Sequence, residues 1–326
     1  MAADGSSMPY HQNPKSVRCI QMAAMTPSIV ISLDFEQRWG SQHRLGDDFD
    51  ASRPSFDSVP DAVPALLELF TALNVRATWA VVGALACDSW DEYEHRAPSW
   101  PTYRDAALRR NPATRMKDPT GSLYFARALV EQIRRSSGQD LGSHSFSHHA
   151  MAEPGFTRVD AVADAAAMTK LFADRWSTRP RSFVFPRNQI AFEDVLDEAG
   201  IEIWRNNPHP FFWRANTTAS QSLLVRGLRL LDGIAPLGTR VTTGPAASHF
   251  VRFNLPAPLW AMHTRRLARE AQQLRAGQHL HLWWHPHNLG VKVEQGIARA
   301  RELLGALRDI APGATRFAST ADLIPS

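Results

Sequence analysis

The chain has 326 residues, of which 44% are hydrophobic and 21% charged, with a formal net charge of +4; this is the composition of a folded protein with room for a large core. No run of 18 apolar residues is present, which excludes a membrane-spanning helix. The arginines are scattered, without the basic and aromatic striping of a nucleic-acid surface, so nucleic acid is not an expected partner. Two cysteines, Cys19 and Cys87, are too few for a disulfide framework and form no metal-ligand pair.

Residues 1–26 read as a flexible N-terminal segment. They are polar, lack the apolar stretch of a secretory leader, and together with the unpaired cysteines point to a cytoplasmic protein. Met25 opens the first ordered-looking stretch and is a candidate start. Residues 27–326 read as one domain. Pro27 to Asp34 is a β-branched apolar run, a buried strand. Residues 40–60 form a long polar loop, and Asp61 caps a helix whose Val63, Leu66, Leu67, Phe70 and Leu73 share a face, ended by Asn74. Val75 to Val82 is a second strand, completing the strand–helix–strand unit of parallel sheets. Residues 84–118 lack a clear period and read as an excursion. Helices follow over Leu123–Arg135, Thr157–Trp176, Ala191–Ala199, His263–Ala276 and Val293–Leu307. Strands follow over Asp140–Ser143, Ser182–Phe185, Ile201–Trp204 and His279–Trp284, with a last one starting at Phe317. Residues 206–257 are rich in Pro and aromatics and resist assignment.

The alternation predicts a (β/α) barrel or a doubly wound sheet. Polar groups recur where strands end, at Asp34, His144, Arg187, Arg205 and His285, and this favours a barrel, whose catalytic groups gather at the C-terminal rim. Asp34 and Glu36 are two apart and share one side of a strand. His144 and His148 are four apart and converge if the segment forms a helical turn. Two imidazoles and one carboxylate make the ligand set of a catalytic zinc, leaving one carboxylate as a base. His285 and His287 compete for the role of acid; His285 is preferred because it directly follows the strand. His279 and His281 read as strand-face polar residues, and His149 as a bystander. Trp79 and Trp283 read as core.

The segments SLDFE (32–36), VRATWAVVG (75–83), DLGSHSFSHH (140–149), FVFPRNQ (183–189) and HLWWHPHNLG (281–290) resemble, in order and spacing, those of the polysaccharide deacetylases with a nodulation-protein-B homology domain. The resemblance implies a distorted, incomplete (β/α) barrel over 27–326 that hydrolyses an N- or O-acyl group with a divalent metal, zinc by default. It implies Asp34 as general base, His144 and His148 as metal ligands and His285 as general acid. Phe35 stands where the family usually has its metal-binding aspartate, so Glu36 becomes the third ligand in a D-x-E branch. Arg187, with Arg181 as second choice, is the arginine expected to orient the base. The expected function is removal of an acetyl or formyl group from an amino sugar or glycan precursor. Hydrolysis of a small cyclic amide, imide or ureide and an inactive glycan-binding barrel are the alternatives.

Overall fold

The computed structural model describes residues 26–41, 50–112, 120–214, 216–235, 248–310 and 316–324. The expected flexible segment 1–26, apart from Thr26, lies outside them. Among the described residues, eight strands form one sheet: β1 (Ser28–Phe35), β2 (Ala77–Val81), β3 (Gln139–Ser143), β4 (Ser182–Val184), β5 (Ile203–Arg205), β6 (Ser248–Phe250), β7 (His279–Trp284) and β8 (Arg316–Ala318). Their spatial order is β5-β4-β3-β2-β1-β7-β6, all parallel. β8 pairs with the start of β1, Ser28 facing Arg316, below the point where Ser32 meets Thr78 of β2. Among the described residues β5 and β6 do not pair, so the barrel is incomplete. It is nonetheless strongly curled: Arg205 at the end of β5 reaches Ser32 and Asp34 in the middle of the sheet.

Among the described residues, ten α-helices surround or extend the sheet: α1 (Arg53–Asp57), α2 (Val59–Leu73), α3 (Trp90–Arg96), α4 (Arg127–Arg135), α5 (Arg158–Trp176), α6 (Glu193–Glu198), α7 (Phe211–Arg214), α8 (Leu223–Ile234), α9 (Ala257–Gln272) and α10 (Val293–Asp309). The two-residue period of β1 divides its side chains. Ile29, Ile31, Leu33 and Phe35 pack with Val63, Leu66 and Phe70 of α2 and Leu304 of α10 in the main core. Ser32 and Asp34 face the other way, into the barrel. Gly142 on β3 fits between Thr78 and Ser182 there; a Cβ would lie 2.5 Å from Ser182 Oγ.

Several boundaries differ from expectation. α2 starts at Val59 behind Ser58, with Asp61 in its first turn, and ends at Asn74 in the left-handed region (φ 52°) as read. α9 begins at Ala257, well before His263, with Pro258 in its first turn, where the missing N–H has no intrahelical partner to lose. The unassigned stretch 206–257 holds α7, α8 and β6. α4 is shorter than read: residues 120–126 are turns and extended chain, and Tyr124 and Phe125 pack on Trp90.

Candidate active site

Asp34 is the penultimate residue of β1 and Glu36 lies just beyond it. The strand's alternation puts both on the barrel side and sends Phe35 between them into the core, edge-on to Trp79. Arg205 grips Asp34 with both nitrogens: Nη1 donates to Oδ1 at 2.6 Å and Nη2 to Oδ2 at 2.7 Å. The same guanidinium donates to Ser32 Oγ (3.2 Å) and Asn188 Oδ1 (2.9 Å) and lies over the Trp283 ring, 4.1 Å from its centroid. Ser32 Oγ is in turn 2.8 Å from His281 Nε2. Asp34 therefore rests on a buried polar stack that fixes its orientation.

The histidine segment is a loop that starts at the end of β3. Ser145 (φ 67°) and His148 (φ 56°) both take the left-handed conformation, and these two reversals, with no helical turn, bring His144 and His148 together with ring centroids 4.9 Å apart. Asp164, buried on α5, holds the loop. It accepts from the backbone N–H of Phe146 at 3.0 and 3.1 Å, from Ser147 N at 3.2 Å and from Ser145 Oγ at 3.0 Å. His149 turns away and packs against Trp100 and Phe156.

His144 Nδ1 lies 2.7 Å from the Val184 carbonyl. A carbonyl only accepts, so Nδ1 carries the proton, and in the neutral ring Nε2 presents a lone pair. That lone pair faces Glu36 Oε2 at 3.2 Å. His148 Nε2 is 2.9 Å from the same oxygen, buried and without a hydrogen bond. Acceptors crowded like this need a positive charge between them. Glu36, His144 and His148 place one ligand atom each within 4.8 Å of one another, and the pattern of one oxygen and two imidazole nitrogens suits zinc and other first-row dications. Gly40 keeps the Glu36 carboxylate in place, since a Cβ there would lie 1.9 Å from Oε1. The residues present therefore fit a divalent cation.

His285 follows β7 and closes the site. Its Nδ1 is 2.9 Å from Asn288 Oδ1, and its Nε2 is 3.2 Å from Glu36 Oε1 and 4.0 Å from Asp34 Oδ2. Burial alone would lower its pKa, but the Glu36 and Asp34 carboxylates and the Asn288 bond raise it to about 9. Burial pushes the two acids up, and their partners overcome it. Arg205 holds Asp34 below the usual range, and His285 holds Glu36 well below it. Burial depresses His148, against the opposing charge of Glu36. Before a cation binds, the site thus pairs an ionised Asp34 with a protonated His285.

The structure brings Asp34, Glu36, His144, His148 and His285 to one point. It does not bring Arg187 there. Arg187 sits at φ 56° in the turn after β4, which directs its side chain to Glu153 (3.5 Å) and Thr218 (3.3 Å). The hold on Asp34 belongs to Arg205, whose position at the end of a barrel strand was the available signal. Arg181, the second choice, pairs with Glu202 at 2.8 Å. His287 stacks on His285 and Phe56, with centroids at 4.7 and 4.4 Å, behind the ring that faces the carboxylates. His281 is buried inside the barrel. Asp164 and Gly40 carry no sequence signal of their own; their roles depend on contacts across the fold.

Residues 49–202 match the family model described as polysaccharide deacetylase, and the resemblance read from the sequence motifs stands with that match. No curated protein matches the chain. Among solved structures, a protein from Mycobacterium smegmatis assigned as a polysaccharide deacetylase is 14% identical, with 92% of this chain and 90% of that one covered and a TM-score of 0.54; the two share the fold. A CE4 family pseudoenzyme from Bacillus anthracis is 10% identical over 92% of this chain and 66% of its own, with a TM-score of 0.46. A Streptococcus mutans CE4 esterase is 15% identical over 91% and 88%, with a TM-score of 0.43.

Proposed function

We propose that the chain is a metal-dependent hydrolase that removes an N-acyl group, acetyl or formyl, from an amino sugar or glycan precursor. The observation that carries this reading is the convergence at one barrel rim of a ligand trio suited to a cation, a clamped carboxylate and an imidazole. The family match supports a carbohydrate deacylase. A divalent cation, zinc by default, held by Glu36, His144 and His148 would supply Lewis acidity to a water molecule and to the acyl carbonyl. Asp34, ionised and oriented by Arg205, accepts the proton of the attacking water. The C–O bond forms first by addition to the carbonyl; the C–N bond then breaks as His285 Nε2 gives its proton to the departing nitrogen, which cannot leave as an amine anion. Asn288 holds the His285 ring through Nδ1. The grip of Arg205 on Asp34 suits it to accept a proton, and the ring of His285, held at Nδ1 by Asn288 with Nε2 toward the carboxylates, is placed to give one.

For a cytoplasmic protein, the location expected from its sequence, the substrate would be a precursor carried on a nucleotide or a lipid. The test is release of acetate or formate from acylated amino sugars by the metal-loaded protein. Wild type is expected to release the acid, and Asp34→Asn to lose about 10²–10⁴-fold in kcat. Hydrolysis of cyclic imides alone would move the assignment to that class. Sugar binding without turnover, unchanged in Asp34→Asn, would make it a binding protein.

A further inference from the structure

Arg187, displaced from the role the sequence suggested, occupies a costly position. It and Asn188 are consecutive non-glycine residues in the left-handed region, at φ 56° and 55°. Such strain persists only where the surroundings fix it. Here the Asn188 carbonyl accepts from Asn207 Nδ2 and Asn216 Nδ2, both at 2.8 Å, and Asn188 Oδ1 accepts from Arg205. The turn therefore aims two neighbours at once, Asn188 at the arginine that clamps the base and Arg187 into a narrow cleft shared with the ligand His148 and walled by Trp39, Gly40, Trp100 and Tyr103.

In that cleft Arg187 is underused. Its Nη1 is buried with no hydrogen-bond partner among the described residues. The nearby carboxylate oxygen, Glu153 Oε1, lies 3.5 Å away and already accepts from Gln189 Nε2 (2.9 Å), Thr218 N (2.6 Å) and Thr218 Oγ1 (2.9 Å). That oxygen is thus saturated by other donors, and the carboxylate serves to balance the guanidinium's charge. A buried, unpaired N–H of a guanidinium beside a ligand of the reaction centre is a donor reserved for an incoming acceptor.

We propose that Arg187 is a specificity residue that receives an anionic oxygen group, carboxylate or phosphate, carried by the substrate close to its scissile amide. This rests on the deacylase reading above. The test compares kcat/KM for 2-acetamido-2-deoxyglucose, its 1-phosphate and its 3-O-carboxyalkyl ether, which place phosphate or carboxylate on a carbon next to the one bearing the amide, in wild type, Arg187→Met and Arg187→Lys. One anionic compound is expected to exceed the neutral sugar by roughly 10–100-fold, the range of a charge-assisted hydrogen bond, and which one it is separates phosphate from carboxylate. That ratio should fall to near unity in Arg187→Met and to a few-fold in Arg187→Lys, which keeps the charge and loses the fork. Equal rates on all three in wild type, or an unchanged ratio in the variants, would overturn the proposal. Where Arg187→Met fails to fold, Arg187→Lys decides alone. Should none of the sugars turn over, the deacylase reading fails and the arginine is judged by tryptophan-fluorescence titration of the metal-loaded protein with inorganic phosphate and acetate. Weaker anion binding in Arg187→Lys at unchanged metal content supports it, and equal binding overturns it.

Discussion

Arg205 shows how one side chain can fix the chemistry of another. Its fork on Asp34 is buried at both ends, with the two side chains 1% and 4% exposed, so removing the arginine strands a carboxylate inside the barrel. Arg205→Met should therefore lower stability by about 3–5 kcal/mol and lower kcat far more than it raises KM, because the base loses its aim while the ligand trio stays intact. Denaturant melts and steady-state kinetics check both halves; a variant that melts like wild type and turns over normally would remove Arg205 from the site. Phe35 is equally informative. Strand alternation lets Asp34 and Glu36 reach the same point only if the residue between them goes to the core, and this much was legible in D-x-E. The identity of the arginine was not, because which side chain spans a curled sheet depends on closure that local pattern does not encode.

At the scale of elements, the histidine loop depends on α5. The spacing of His144 and His148 revealed that they meet, but the expected helical turn is replaced by two left-handed residues and a buried anchor. Asp164 neutralises the loop's N–H groups from a helix whose Ala- and Asp-rich sequence gives no hint of it. Asp164→Ala should leave those donors buried and unpaired, costing about 1–3 kcal/mol, and should weaken metal binding about 10–100-fold, as loss of a supporting contact does; a chelator-competition titration giving wild-type affinity would contradict this. On α9, His263 is buried and neutral, its Nδ1 2.6 Å from the Gly233 carbonyl. Burial lowers its pKa from 6.5 to about 4. The unfolded chain therefore takes up a proton first as the pH falls. The stability contributed by His263 is full above 6.5, is lost between 6.5 and about 4, and is constant below, an effect of at most about 3 kcal/mol. Denaturant titrations at stepped pH should show this loss in wild type and not in His263→Asn; parallel curves would refute it.

Over the whole molecule, the barrel collects groups from four strand ends separated by as many as 251 positions between Asp34 and His285, and no local contact holds them together. The order of strands and helices was readable because buried parallel strands announce themselves as apolar runs; the irregular stretch around α7, α8 and β6 was not, because its elements are short and its Pro and aromatic residues obscure any period. A cation held at Glu36, His144 and His148, as proposed, would tie these distant groups into one centre. Metal analysis by mass spectrometry of exhaustively dialysed protein, in wild type and in folded His148→Ala, tests it most directly. The account predicts close to one divalent ion per chain in wild type and a large loss in the variant. A wild-type protein that remains metal-free after incubation with zinc, or a variant that retains its full complement, would contradict it.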